Sequence, residues 1–215
     1  IVDISNPLVP TQIATAPVGI SPYAVFVSGR YAYVANRSSA SLSVVDISNP
    51  LAPTEVAATS VGNGVQSVFV SGRYAYAANA LDDSISVVDV SNPLSPIQIA
   101  TASVGATPKS IFVSGRYAYT ANGGNGDPGS NSMSVVDISN PSTPIQVATT
   151  SVGDVSLGAG PNQIFVSGRY AYTVNADDTF SVIDISDANA PVEVATTTAG
   201  AGLQSLYVSG RYAYV

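Results

Sequence analysis

Short runs in which hydrophobic residues alternate with polar or small residues recur along the whole chain. In residues 67–71, Val68 and Val70 alternate with Phe69, and in residues 74–79 two tyrosines alternate with alanines. A period of two places successive side chains on opposite faces, which predicts β-strands, and no stretch has the period of a helix. The chain is therefore predicted to be all-β.

Turn residues divide these strands into units of four. In the clearest unit, Gly72 and Arg73 form a two-residue hairpin between the first two strands, because a type II′ turn requires glycine at its first central position. Residues 84–90 give a third strand that a Ser-Asn-Pro turn ends, and residues 97–101 give a fourth. Each unit is predicted to be a four-stranded antiparallel sheet.

The unit occurs five times. The sequence V-S-G-R-Y-A-Y begins at Val27, Val70, Val113, Val166 and Val208. A four-stranded unit that repeats about every 43 residues is typical of a propeller blade, so five copies predict a five-bladed β-propeller. An open stack of small sheets and a β-helix are the alternatives.

The predicted propeller is a single domain, residues 1–215, with continuous blades at about residues 20–62, 63–105, 106–153 and 154–200. A fifth blade combines residues 201–215, which supply its first two strands, with residues 1–19, which supply the other two. Antiparallel pairing of the two ends is predicted to close the ring and to leave no exposed sheet edge between the first and last blades. The counterpart of residues 35–43 is missing from this composite blade.

The amino-acid composition limits the range of possible functions. A 46% share of hydrophobic residues allows a sizeable core, and the net charge of -7 disfavours nucleic acid and anionic membrane surfaces as partners. Cysteine and histidine are both absent, which removes thiolate nucleophiles, zinc ribbons and the usual general base at neutral pH. No apolar run is long enough for a transmembrane helix, so no direct membrane insertion is expected.

The motifs V-V-D-I-S-N-P (residues 44–50) and V-S-G-R-Y-A-Y-V-A-N (residues 27–36) resemble the LVIVD repeat family of bacterial and archaeal propellers. They resemble the YVTN surface-layer repeats more distantly. The resemblance covers essentially the whole chain, although residues 184–188 have lost the Asn-Pro pair. It implies an exported or cell-surface protein of prokaryotic origin, and it carries no catalytic residues that could be transferred.

Charged residues recur in the repeat itself. Each first hairpin contains an arginine, and each third strand ends near an aspartate, so that the register places the two at the same end of a blade. We interpret them as structural ion pairs or turn caps rather than as a ligand site: Arg30 and Asp46, Arg73 and Asp89, Arg116 and Asp137, Arg169 and Asp184, and Arg211 and Asp3.

Six of the nine remaining acidic residues lie in loops on the opposite face of the disc, where two insertions, residues 123–131 and 153–162, also fall. We call this side the loop face. Because loops depart from the scaffold where function requires it, a groove between the insertions is the predicted binding site. The candidate ligand-binding residues are Asn125, Asp127, Asn131, Asp154, Asn162, Asp82, Asp83, Asp177 and Asp178.

These features predict a non-enzymatic binding or scaffold propeller that is secreted or on the cell surface and that presents its loop face to a protein or glycan. No cofactor is expected. A lectin-like or calcium-assisted carbohydrate binder is the alternative, because carboxylate and amide oxygens suit calcium, although no complete calcium loop is present. A glycan-active hydrolase or lyase is a weaker alternative, because no pair of acids is visible in the first strands that line the channel. The partner, the metal and the oligomeric state stay open.

Overall fold

A computed structural model describes residues 1–124, 126, 130–154 and 160–215. This part of the chain contains twenty β-strands and no helix, and therefore no helix that is long and apolar enough to cross a membrane. Sixteen strands form four antiparallel sheets of four, which are the complete blades.

The blades follow one another along the chain, and within each blade consecutive strands are hydrogen-bonded neighbours. Their strands are β3 (Pro22–Ser28), β4 (Tyr31–Asn36), β5 (Ser41–Asp46) and β6 (Thr54–Ser60) in the first blade; β7 (Val65–Ser71), β8 (Tyr74–Asn79), β9 (Ser84–Asp89) and β10 (Ile97–Ser103) in the second; β11 (Pro108–Ser114), β12 (Tyr117–Asn122), β13 (Ser132–Asp137) and β14 (Ile145–Ser151) in the third; and β15 (Pro161–Ser167), β16 (Tyr170–Asn175), β17 (Thr179–Asp184) and β18 (Val192–Thr198) in the fourth.

The hairpins and the register agree with the sequence. Of the two residues in the hairpin between β7 and β8, Gly72 alone has a positive φ, 59°, as a type II′ turn requires. In the ladder between β8 and β9, Tyr74 lies opposite Asp89, and Asn79 lies opposite Ser84. The predicted all-β propeller of four-stranded antiparallel blades is confirmed.

An asparagine at the end of each second strand fixes the turn on the loop face. In the first blade, Asn36 is fully buried, and its Nδ2 donates hydrogen bonds to Ser41 Oγ (3.1 Å) and Ser43 Oγ (2.8 Å). Asn79, Asn122 and Asn175 repeat this arrangement in the following blades. The side chain thus ties the second strand of every complete blade to the third strand, which positions the turn between them.

The core lies between blades rather than within one. The contact between the first and second blades packs Tyr33, Leu42 and Val44 against Val68 and Val70, and equivalent residues fill the next two contacts. Nearer the axis, the phenylalanines of successive first strands are in contact, with ring centroids 4.7, 4.8 and 4.9 Å apart: Phe26, Phe69, Phe112 and Phe165. Each blade therefore depends on its neighbour for burial.

The predicted fifth blade is present as two separate hairpins. β19 (Tyr207–Ser209) pairs with β20 (Tyr212–Tyr214), and β1 (Val2–Asp3) pairs with β2 (Thr11–Gln12), but each pair is a sheet of its own. The two hairpins are consistent with the predicted closure of the ring by the two ends of the chain, although no ladder joins β20 to β1 in the described residues. The physical reason is that these strands are only two or three residues long and lack the turn that joins the second and third strands elsewhere.

Side chains of the first complete blade and of the last hairpin are exposed as a result. Val25 in β3 is 63% exposed, whereas its equivalents in the next blades, Val68, Ile111 and Ile164, are at most 6% exposed. At the other end Tyr214 is 60% exposed, although its equivalents Tyr33, Tyr76 and Tyr119 are buried. The four complete blades thus form an arc whose two ends, where the first and last repeats would meet, have exposed side chains in this structure.

Candidate functional site

A β-bulge occurs at the second residue of every complete first strand. In the ladder between β11 and β12, Pro108 pairs with Asn122 and Ser110 pairs with Ala121, so Lys109 has no partner. The same register shift leaves Tyr23, Gln66 and Asn162 without a ladder partner in the other three blades. A bulge re-aims the side chain of the unpaired residue. As a result, four side chains at equivalent positions point away from the ladders of their blades, at the same level along the first strands.

These side chains line a single polar cavity of about 310 Å³. Its lining consists of one residue from each of the five repeats together with one arginine: Tyr23, Gln66, Lys109, Asn162, Gln204 and Arg37. Because every first strand contributes to it, the cavity lies on the axis of the propeller, and we call it the axial cavity. It opens near the beginnings of the first strands, and therefore on the loop face.

Lys109 is the most enclosed charge in the axial cavity. Its Nζ donates a hydrogen bond to Asn162 Oδ1 at 3.0 Å, and Asn162 Nδ2 in turn donates to the carbonyl of Leu203 at 2.8 Å. Burial lowers the pKa of the Lys109 amine. Among the described residues, the hydrogen-bond acceptor of this ammonium group is a neutral amide oxygen.

Arg37 lies on the opposite side of the cavity, in the turn after β4. Its guanidinium is over the ring of Tyr23, with Cζ 5.6 Å from the ring centroid. An arginine in this position gains a cation–π contact while its N–H donors stay available. The two basic residues that do not belong to the repeated hairpins, Lys109 and Arg37, thus lie in the same cavity.

The two insertions meet above Lys109. A Cβ at Gly123 would lie 2.1 Å from Lys109 Cε, and a Cβ at Gly160 would lie 2.6 Å from the carbonyl carbon of Gly123. Asn131 is fully buried, and its Nδ2 donates to the carbonyl of Asp154 at 3.4 Å. The structure therefore brings together the two segments that the sequence predicted to border a groove. The predicted site residues Asn125 and Asp127 lie outside the described residues.

The other acidic candidates accept hydrogen bonds from loop backbones. Asp83 Oδ1 accepts the N–H of Thr107, and Asp178 Oδ1 accepts that of Gly202, both at 2.7 Å and both from the loop that leads into the next blade. Within their own blades, Asp82 accepts from Asn63 and Asp177 accepts from Asp154. These carboxylates tie the loops of the face together. In the described part of the chain, no group of three acidic side chains is arranged to hold a metal ion.

The repeated arginines and aspartates lie at the other end of the strands, away from the axial cavity. Arg73 Nη2 and Asp89 Oδ2 are 2.8 Å apart, and Arg30, Arg116 and Arg169 pair in the same way with Asp46, Asp137 and Asp184. Each aspartate also accepts the N–H of the serine two residues later. In the terminal hairpins Asp3 caps Ser5 and Arg211 contacts the Tyr212 hydroxyl, so this fifth pair is not formed.

These four aspartates predict a loss of stability in acid. The hydrogen bonds from Ser91 and the ion pair with Arg73 lower the pKa of Asp89 from 3.8 to about 2, and Asp46, Asp137 and Asp184 are lowered to about 2 as well. A carboxyl group with a lowered pKa in the folded state stabilises the fold above its unfolded value, and this contribution disappears as the pH falls from about 4 towards about 2. The melting temperature should therefore drop over this interval, and less steeply in a D46N/D89N/D137N/D184N variant. Parallel curves for the two proteins would contradict the assignment.

Sequence reasoning missed the axial cavity. The first strands were expected to be regular β-strands without a bulge. The bulge directs one polar side chain of each first strand towards the channel. A signal was present, because the residue before the nearly constant first-strand motif differs between repeats and is polar in each of them: Tyr23, Gln66, Lys109, Asn162 and Gln204. Variation at one position of an otherwise uniform repeat indicates where the repeats have separate roles.

Comparison with known proteins agrees with the architecture. A family model described as LVIVD repeat matches residues 1–15, 23–60, 62–102, 106–151 and 161–198. No curated protein matches the sequence.

Solved structures with the same architecture are much longer than the chain. A candidate 6-phosphogluconolactonase from Bacteroides uniformis has a TM-score of 0.77 at 19% identity, over 95% of this chain and 66% of that one. Hydrazine synthase from Kuenenia stuttgartiensis has a TM-score of 0.69 at 22% identity, over 90% and 54%. The periplasmic gluconolactonase of Pseudomonas aeruginosa has a TM-score of 0.68 at 18% identity, over 84% and 55%. At these identities the likeness shows the fold alone, and the chain spans about half to two thirds of the length of these structures.

Proposed function

Because the chain belongs to the LVIVD repeat family, we propose that it is a non-enzymatic binding propeller that holds a protein or glycan partner on its loop face, centred on the axial cavity. The observation that carries the proposal is the convergence of the variable second residues of the first strands on one polar cavity. The bulges that produce this convergence occur in every complete blade, whereas the side chains they present differ. A constant scaffold with a variable centre is the arrangement expected of a binding site.

Binding is favoured over turnover by the chemistry of the lining. Hydrolysis of a glycan requires a pair of carboxyl groups, and nucleophilic serine chemistry requires a base to activate the hydroxyl. The axial cavity is lined by amides, one tyrosine and two cations, and the sequence has no histidine. The neighbours named as gluconolactonases are below 20% identical to the chain, so no catalytic residue is carried over from them.

A location outside the cytoplasm is part of the proposal. The chain has only 10% charged residues, and one structural neighbour is named as a periplasmic protein. A surface or secreted propeller would present the loop face to glycans or proteins of the cell envelope. Calcium would join such an interaction only if it raised the melting temperature at millimolar concentration, which a thermal scan with and without the ion measures directly.

A glycan array and a pull-down from an envelope fraction test the proposed binding face. The intact propeller is compared with Q66A/Q204A, which removes two neutral cavity side chains, and with R73Q/R116Q, which alters two residues at the opposite end of the strands. Capture that falls at least about 10-fold in Q66A/Q204A and persists in R73Q/R116Q is expected, because lost hydrogen bonds weaken binding only where the partner sits. Equal loss in both variants, or capture that neither changes, would place binding elsewhere.

A further inference from the structure

The charge of the axial cavity is opposite to the charge of the protein. Fourteen acidic residues outnumber seven basic ones, and five of the basic residues are hairpin arginines. Four of those arginines form ion pairs with aspartates, and the fifth contacts a tyrosine hydroxyl. The two that remain, Lys109 and Arg37, both line the axial cavity. The two basic residues outside the repeated hairpins therefore lie in one cavity of a protein with a net charge of -7.

Partial burial of the Lys109 ammonium group is energetically unfavourable. Moving an ammonium group out of water is unfavourable unless it is paired, and Lys109 is half-buried with an amide oxygen as its hydrogen-bond acceptor. An ammonium group has three N–H donors, of which the contact with Asn162 uses one. An anion that entered the cavity would offset the loss of solvation and could accept hydrogen bonds from the other N–H donors of the ammonium group.

The rest of the lining suits a ligand with hydroxyl groups. Gln66 and Gln204 supply amides that can donate and accept, and Tyr23 presents a ring and a hydroxyl group. The volume of about 310 Å³ is at the lower end of the range found for small-molecule sites, which begins at about 300 Å³. Such a space accommodates one small polar molecule rather than a bulky apolar one.

We propose that the axial cavity binds a small sugar that carries one anionic group, a carboxylate or a phosphate, with Lys109 and Arg37 as the cationic partners of that group. This inference rests on the proposed function, because it names the ligand class for the same face. The ring hydroxyls of the sugar would contact Gln66 and Gln204, and the anion would lie between the ammonium and the guanidinium. The site thus selects its ligand by charge in a protein that repels anions elsewhere.

Isothermal titration calorimetry on the full chain tests the inference with three matched ligands: galacturonate, galactose 6-phosphate and galactose. At least one of the acids should bind at least about 10-fold more tightly than galactose, because charge-assisted hydrogen bonds are stronger than neutral ones. Which acid binds better distinguishes carboxylate from phosphate. Binding of galactose as tight as that of both acids, or no binding of either acid, would overturn the inference.

Substitutions of single basic residues test which side chains bind the anionic group. Lys109→Gln and Arg37→Gln should each weaken binding of the acid at least about 10-fold, whereas Arg116→Gln, which removes an equally basic residue from an ion pair at the other end of the strands, should leave it unchanged. Unchanged affinity in Lys109→Gln, or an equal loss in Arg116→Gln, would contradict the assignment. Thermal melts establish that each variant is folded.

The two proposals fail in different ways. If Q66A/Q204A loses a neutral glycan or protein partner while the acids fail to bind, the binding face stands and its anionic ligand does not. If the acids bind as described but no partner is captured from the envelope, the cavity is a small-molecule site and the wider docking face is refuted.

Discussion

Val68→Asp is expected to lower the free energy of unfolding by at least about 3 kcal/mol, because an unpaired carboxylate would be buried between the first and second blades. Val68 is 6% exposed and packs in the core that joins these blades. The equivalent substitution at the end of the arc, Val25→Asp, should cost less than about 1 kcal/mol, since Val25 is 63% exposed. The same chemical change at the same position of the repeat is thus predicted to have very different effects.

Urea unfolding followed by far-ultraviolet circular dichroism measures both variants, with Val25→Ala and Val68→Ala as controls for the loss of side-chain volume. The comparison separates an open arc from a closed ring. If Val25→Asp is as costly as Val68→Asp, the exposed face of the first blade is covered in solution by the terminal hairpins.

Thr120→Val should cost about 1–3 kcal/mol although it changes the shape of the side chain very little. Thr120 Oγ1 donates a hydrogen bond to Asn122 Oδ1 at 2.8 Å in the buried turn of the third blade, and Thr173 does the same for Asn175 in the fourth. The first blade has Val34 at this position, and there Asn36 Oδ1 is buried without a hydrogen-bond partner. Thr120→Val would create this unsatisfied acceptor in the third blade.

The reverse change provides the matched control. Val34→Thr should stabilise the protein by about 1 kcal/mol, because the new hydroxyl can donate to Asn36 Oδ1. Chemical denaturation of the two variants and the parent chain gives both values. Changes of the same sign in the two variants, or no change in either, would show that the acceptor is satisfied by other means.

The blades could be predicted from the sequence because their causes are local. Alternation of apolar residues, glycine at the hairpin and the Ser-Asn-Pro turn act over a few residues, and the repeat multiplies each signal five times. The register followed from the same pattern, and Tyr74 lies opposite Asp89 as expected. Tyr33, Tyr76 and Tyr119 are buried, as the alternation of large and small residues in the second strands indicates.

The axial cavity could not be predicted in the same way. A bulge depends on how the ladder is accommodated at the start of the first strand, and no residue pattern specific to bulges precedes Lys109 or its equivalents. The insertions were recognised by length, but their proximity to Lys109 required the structure.

The most direct test of the central claim uses the single lysine of the sequence, Lys109. In protein labelled with ¹³C-lysine, the Cε signal of this residue can be followed by NMR while galacturonate, galactose 6-phosphate or galactose is added. We expect a saturable shift of this signal with at least one of the acids and none with galactose at equal concentration. A signal that moves with neither acid, or as much with galactose as with both acids, would contradict the claim that the axial cavity is the binding site for an anionic sugar.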